Sequence, residues 1–230
     1  MSEQLLFAFG HRSASDLENF MPAACNRDAL AWLERWPAWP ACALVLYGPA
    51  GCGKSHLARI WATRAGARWL ERPLPADARP KAVRTFVLED VLAADRLADE
   101  VGLLQFYNWL VEERGHILLT AREPVGDWPI ALPDLASRLR AAPAVAIGLP
   151  DEALLGALLV KLFGDRQLVV AEDVIRYMLA HMERSFAAAR TLVAALDARS
   201  LEQHRAITIP LVRAVLGQTD LDGTDATASP

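Results

Sequence analysis

The clearest chemistry in this chain lies in eight residues, GPAGCGKS at 48–55. They fit G-x-x-x-x-G-K-[ST], the phosphate-binding loop, which requires a strand before it and a helix after it. Gly48, Gly51 and Gly53 let the backbone curl so that successive N–H groups point at one anion, and the following helix adds the positive end of its dipole. Lys54 is placed to reach the β and γ phosphates, and the Ser55 hydroxyl to ligate Mg²⁺. A second strand signal, TFVLED, ends in Glu89 and Asp90. If it lies parallel to the first, it brings these carboxylates to the same edge, near a bound Mg²⁺; otherwise it is a solvated acidic strand end. A third, HILLTA, ends near Thr120, whose hydroxyl could sit beside a γ-phosphate. Two arginines complete the set. Arg138, on the short segment PDLASRLR, is either a solvated surface charge or a finger that completes a neighbouring subunit's site. Arg190 interrupts the alanine-rich stretch SFAAARTLVAALD. It either meets phosphate or snorkels to water from the helix edge.

These groups need a frame, and the apolar patterning supplies one. ACALVLY (41–47), ARWLE (67–71), VRTFVLED (83–90), HILLTA (116–121) and AAPAVAIGLP (141–150) are five strand candidates. The runs that lack polar alternation suit a sheet covered on both faces. Between them, NRDALAWLERWP predicts a short helix capped by Asn26, HLARIWATRAG one that ends at Gly66, and EVGLLQFYNWLVEERG one that ends at Gly115. From 151 onward, four helical stretches follow with no strand among them. The expected fold class is therefore α/β followed by a small helical domain.

Composition narrows the function. At 53% hydrophobic and 23% charged, the 230 residues can bury a full core, and the formal net charge of −4 argues against a free-standing nucleic-acid binder. Three cysteines far apart in sequence, with no CxxC, indicate a reducing compartment, and no Cys/His cluster indicates structural zinc. No segment has the apolar length of a membrane span. The seven tryptophans form no base-stacking ladder and are assigned to packing. QLLFAF at 4–9 lacks the basic flank of a signal peptide. It is either an edge strand or a short linear motif whose apolar anchors fill a partner's pockets.

Taken together, these motifs resemble the Hda/HdaA family, the DnaA-related AAA+ proteins of regulatory inactivation of DnaA. The resemblance is carried by GKSHLARI, LLTAREP, LPDLASRL, ARTLVAALD and ITIPLVRAVL, and it spans roughly residues 4 to 217. It implies an α/β AAA+ P-loop NTPase fold with a parallel five-stranded sheet and a small C-terminal α-helical lid. The implied division is a clamp-binding peptide at 1–12, the nucleotide-binding domain at 13–150, the lid at 151–217 and a disordered tail at 218–230. It implies bound ADP (or ATP) with Mg²⁺. Gly48, Gly51, Gly53, Lys54, Ser55, His56 and Arg190 would hold the nucleotide, with Phe20 and Met21 near the adenine. Ser55 and Glu89 would hold the metal, and Asp90 and Thr120 would serve the catalytic edge. Family members usually place Asp before the second acid; here Glu89 precedes Asp90, which suits retention of nucleotide more than turnover.

The same resemblance implies that Gln4, Leu5, Phe7 and Phe9 dock into the β subunit sliding clamp of DNA polymerase. Arg138 would act in trans on ATP bound to the DnaA initiator, and the protein would restrain replication initiation. It implies a cytoplasmic protein without direct sequence-specific DNA binding, and it leaves room for a homodimer. Two other readings stay open: an autonomous AAA+ ATPase such as a helicase-loading or remodelling factor, and a non-hydrolysing nucleotide-bound adaptor.

Overall fold

The computed structural model describes residues 22–71, 83–93, 96–97, 99–203 and 205–222. The peptide at 1–12, with Gln4, Leu5, Phe7 and Phe9, lies outside the described residues, as do Phe20, Met21 and residues 223–230.

A first helix, α1 (Arg27–Glu34), buries Ala29 and Leu33. Asn26 stands at its N-terminus as expected but does not cap it: its Oδ1 accepts from the Ala23 N–H at 2.9 Å, which stabilises the turn before the helix instead. The chain then enters β1 (Ala43–Tyr47), passes the glycine-rich loop, and runs through α2 (Lys54–Ala65) to β2 (Arg68–Trp69). Gly66 closes α2 in the left-handed conformation, where a side chain would be strained. Next come β3 (Thr85–Leu88), the short strands β4 (Leu92–Ala93) and β5 (Arg96–Leu97), α3 (Glu100–Glu112) and β6 (His116–Ala121). A short turn of 3-10 helix, then α4 (Pro133–Ala141) and β7 (Ala144–Ala146), complete the α/β body. The β4–β5 hairpin carries no signal in the sequence, because two-residue strands are too short to show a period.

Five strands form one parallel sheet in the order β2-β3-β6-β1-β7. The continuous apolar runs are explained by its two covered faces. Ala43, Val45, Ile117 and Leu119 point to the side closed by α3 and α4, with Phe86, Phe106, Leu135 and Leu139. Leu44, Leu46 and Leu118 point to the side closed by α1 and α2, with Leu57, Ile60 and Trp61. Each such leucine is fully buried, worth roughly 1.5–3 kcal/mol relative to exposure. Trp39 stacks on Trp61 with centroids 5.2 Å apart, so these two tryptophans are packing residues, whereas Trp69 lies exposed on the edge strand.

The remaining chain is helical: α5 (Glu152–Gly164), α6 (Glu172–His181), α7 (Phe186–Gln203) and α8 (Ile209–Asp222), around their own core of Leu155, Leu159, Phe163, Met178, Val193 and Val212. Asp151 starts α5 by accepting from the Leu154 N–H at 2.8 Å. Ser185 starts α7 the same way, through the Ala188 N–H at 3.0 Å. The last helix continues past Gly217 to Asp222, farther than the sequence pattern places its end.

Candidate functional site

In this sheet β1 lies between β6 and β7, although the chain visits β2 and β3 first. Ligands of open α/β sheets bind outside the carboxyl ends of strands at such a reversal. The glycine-rich loop sits there. Gly48, Gly51 and Gly53 have φ of 148°, 73° and 103°. A side chain on Gly48 would run into the Ile147 carbonyl, so the loop's first turn admits only glycine. Gly53 precedes α2 without a side-chain cap, so the first-turn N–H groups of this 12-residue helix face the site. Lys54 Nζ donates to Gly48 O at 2.6 Å and to Pro49 O at 2.8 Å, which holds the ammonium inside the curl of the loop.

A cavity of about 230 Å³ opens beside this loop, between the α/β body and the helical unit. Its floor is Gly51, Gly53, Lys54, Ser55, His56 and Arg59, and its roof is Leu158, Phe186, Ala187 and Arg190. The structure thus gathers Lys54, Ser55, His56 and Arg190, more than 130 residues apart in the chain, around one space. Arg59, Leu158, Phe186 and Ala187 escaped the sequence reading. Arg59 had a signal, being on the helix face of Ser55 and His56 at i+4 and i+3; the roof residues had none, because only the docking of α7 brings them over the loop. That docking is close. The Phe186 N–H donates to Gly51 O at 3.1 Å, and a Cβ on Gly51 would lie 2.5 Å from Ser185 Cβ.

The acidic edge is set by register. Leu46 pairs with Thr120 and Leu88 with Leu119, so Glu89 leaves β3 level with Thr120, and Gly48 follows two residues past that level. Thr120, 2% exposed, accepts the Asp90 N–H on its Oγ1 at 2.9 Å, and its carbonyl accepts the Val91 N–H at 2.9 Å. These two bonds hold Asp90 in the left-handed region, φ 46°, a conformation that costs a non-glycine residue roughly 1–2 kcal/mol. Thr120 is thus a clamp on the turn that carries both acids. Glu89 Oε1 is buried and has no hydrogen-bond partner among the described residues. The orphaned Glu89 oxygen and the exposed Ser55 hydroxyl in the first turn of α2 are both ligand types that Mg²⁺ takes, and Mg²⁺ uses few protein ligands and relies on water and phosphate oxygens for the rest. No cluster of three or more His, Cys, Asp or Glu placed to hold a metal occurs among the described residues, as such a shared site would not require one.

Arg138 stands apart and does not line the cavity. It lies half-buried on α4 with its guanidinium carbon 5.7 Å from the Tyr107 ring centroid. Burial pushes both the Tyr107 hydroxyl and the Cys42 thiol up. All three cysteines are free thiols, and no helix among the described residues is long and apolar enough to cross a membrane.

The Hda lid domain family is matched over residues 155–216. Among solved structures, domain III of the Thermotoga maritima replication initiation protein DnaA superposes with a TM-score of 0.73 at 16% identity. The match covers 87% of this chain and 95% of that one. AMPPCP-bound DnaA from Aquifex aeolicus gives 0.65 at 20% identity, over 81% of this chain and 66% of that one, so this chain spans about two thirds of its length. The Thermotoga maritima RuvB Holliday junction branch migration motor gives 0.65 at 15% identity, over 84% and 67%. At these identities the solved structures establish the fold, and the match to the Hda lid domain is confined to residues 155–216.

Proposed function

We propose that this protein is a nucleotide-bound regulator of replication initiation that stimulates hydrolysis of ATP held by DnaA. The single observation that carries the reading is the position of Arg138. It lies outside the chain's own cavity, over an aromatic ring, and among the described residues no carboxylate stands within ion-pair distance of it. A cation so placed suits a phosphate on another molecule, and the lid match names the relatives in which to look for that molecule. The residues divide as the resemblance implies, with 13–150 binding nucleotide, 151–217 acting as lid, and 1–12 docking on the sliding clamp.

Within the chain's own site the roles are assigned as the resemblance implies. Loop and first-turn N–H groups, with Lys54, receive the phosphates of ADP or ATP, and Arg190 and His56 close around it. Ser55 and Glu89 hold Mg²⁺, which when bound neutralises phosphate charge. Asp90 is committed by its backbone to the Thr120 clamp, and the Glu89–Asp90 order keeps the longer acid on the metal side. This arrangement supports retention of nucleotide over rapid turnover. In trans, Arg138 donates N–H groups to oxygens of DnaA's γ-phosphate as charge develops there, an effect worth roughly 10³–10⁵ in rate for fingers of this kind.

The test is conversion of DnaA-bound ATP to ADP with this protein added, with and without clamp loaded on DNA. Stimulation that requires the clamp, and disappears when Gln4, Leu5, Phe7 and Phe9 become alanine, is the expected result. Arg138→Ala should retain clamp binding and lose nearly all stimulation. Full stimulation by Arg138→Ala would refute the finger.

A further inference from the structure

The geometry points to Tyr107 as the positioning residue for Arg138: its ring is the shelf on which the finger rests before it meets a partner's phosphate. This rests on the reading of Arg138 given above. An arginine that must reach another molecule's phosphate faces two opposed demands. It must be held in one place, because a displacement of about 1 Å in a reacting group can cost roughly 100-fold in rate. It must also arrive with its five N–H donors uncommitted, because a carboxylate partner would occupy the donors the phosphate needs. A π face satisfies both, since it attracts the cation through its quadrupole without accepting the in-plane N–H groups.

The surroundings of Arg138 have this form. Its guanidinium carbon lies 5.7 Å from the Tyr107 centroid, within the range of a cation–π contact, and no ion pair involves it among the described residues. Tyr107 is only 6% exposed and cannot wander: α3 and α4 pack on each other around it, and Cys42, just before β1, packs against the same core. The shelf is therefore anchored to the α/β body, and the orientation of the finger is inherited from the core. Flanking Leu135 and Leu139 on α4 are fully buried, which fixes the helix from which the finger projects.

The experiment uses the full chain with clamp-loaded DNA and DnaA-ATP, and compares Tyr107→Phe, Tyr107→Leu and Tyr107→Met. Phe keeps the π face and loses only the hydroxyl, so its maximal stimulated rate should stay within about 3-fold of wild type. Leu and Met remove the face, and their maximal rate should fall roughly 10- to 100-fold while the protein concentration at half-maximal stimulation is unchanged. Met serves if Leu leaves a cavity that unfolds the protein, with thermal melting as the check. A second readout needs no partner: the Arg138 Nε–H resonance, identified by its loss in Arg138→Lys, should be displaced by the ring from the cluster of solvated arginines in wild type and Tyr107→Phe, and rejoin it in Tyr107→Leu or Tyr107→Met. A wild-type resonance already in the solvated cluster, or full stimulation by a folded Leu or Met variant, would overturn the assignment of Tyr107. If Arg138→Ala itself stimulates fully, the finger reading fails, and the resonance then reports on the shelf alone.

Discussion

Gly51→Ala offers a sharp test of how the lid is fastened to the phosphate loop. Gly51 has φ 73°, so alanine there carries the left-handed cost, roughly 1–2 kcal/mol. Gly53, φ 103°, carries a comparable strain, but its added Cβ would lie 3.5 Å from the Phe186 ring, an ordinary contact. At Gly51 the new Cβ would lie 2.5 Å from Ser185 Cβ and 2.8 Å from its Oγ, about 1 Å inside normal carbon–carbon contact. Either the loop or the lid must yield. The loop is held by the Gly48 N–H on Ala121 O and by both Lys54 bonds, whereas the lid meets it here through the Phe186 N–H on Gly51 O. The lid should therefore lift. Phe186 opens α7, so its amide has no acceptor within the helix and its protection from hydrogen exchange reports on this contact. A net hydrogen bond contributes roughly 0.5–1.5 kcal/mol, so protection should fall roughly 2- to 13-fold in Gly51→Ala and hardly at all in Gly53→Ala. Adding Ser185→Gly leaves only Cα, 3.8 Å from the new Cβ, and should restore protection at the cost of a few tenths of a kcal/mol of helix capping, about the usual Ser-to-Gly difference. Wild-type protection in Gly51→Ala would refute the latch. Equal loss in Gly53→Ala, or no rescue by Ser185→Gly, would mean that backbone strain rather than collision governs the lid.

Two further predictions follow from single residues. Lys54→Ala exchanges two carbonyl contacts for phosphate contacts it can no longer make, and ADP affinity measured by fluorescence titration should fall roughly 10- to 100-fold, about the worth of one charged hydrogen bond. An affinity within 2-fold or so of wild type would place the phosphates elsewhere. His116 sits edge-on to Trp36 and Trp39, and burial lowers its pKa from the usual 6.5, against a weaker opposing bond to Pro37. The neutral ring is the folded form, so its contribution is complete above about pH 6.5 and is lost as pH falls below that value. Between pH 7.5 and 5.5 the melting temperature should drop more in wild type than in His116→Phe; equal slopes would refute the assignment.

Much of the frame is written locally. The strands β1, β3 and β6 announce themselves as apolar runs because both faces of the sheet are covered, and GPAGCGKS announces its own curl because only glycine tolerates its backbone angles. The four lid helices show as uninterrupted helical spacing, and Gly66 and Ser185 act within one turn of the helices they bound. For these features the determining contacts are between near neighbours in the chain or between a residue type and its solvent.

Other features exist only in three dimensions. Asn26 has the residue type of a cap, yet its Oδ1 accepts from the Ala23 N–H, a choice between local donors that the residue type alone does not decide. Thr120 carries a hydroxyl wherever it sits, but the register with β3 makes that hydroxyl the clamp on Asp90. Leu158 and Phe186 read as lid core and become the roof of the cavity because α7 docks on Gly51. Tyr107 reads as one more apolar position of α3, and the packing of α3 against α4 puts its ring beneath Arg138. The sequence determines which groups the chain has and which elements form, since those follow from spacing and local backbone preference; where the groups meet is decided by helix docking and strand register, which no local pattern encodes.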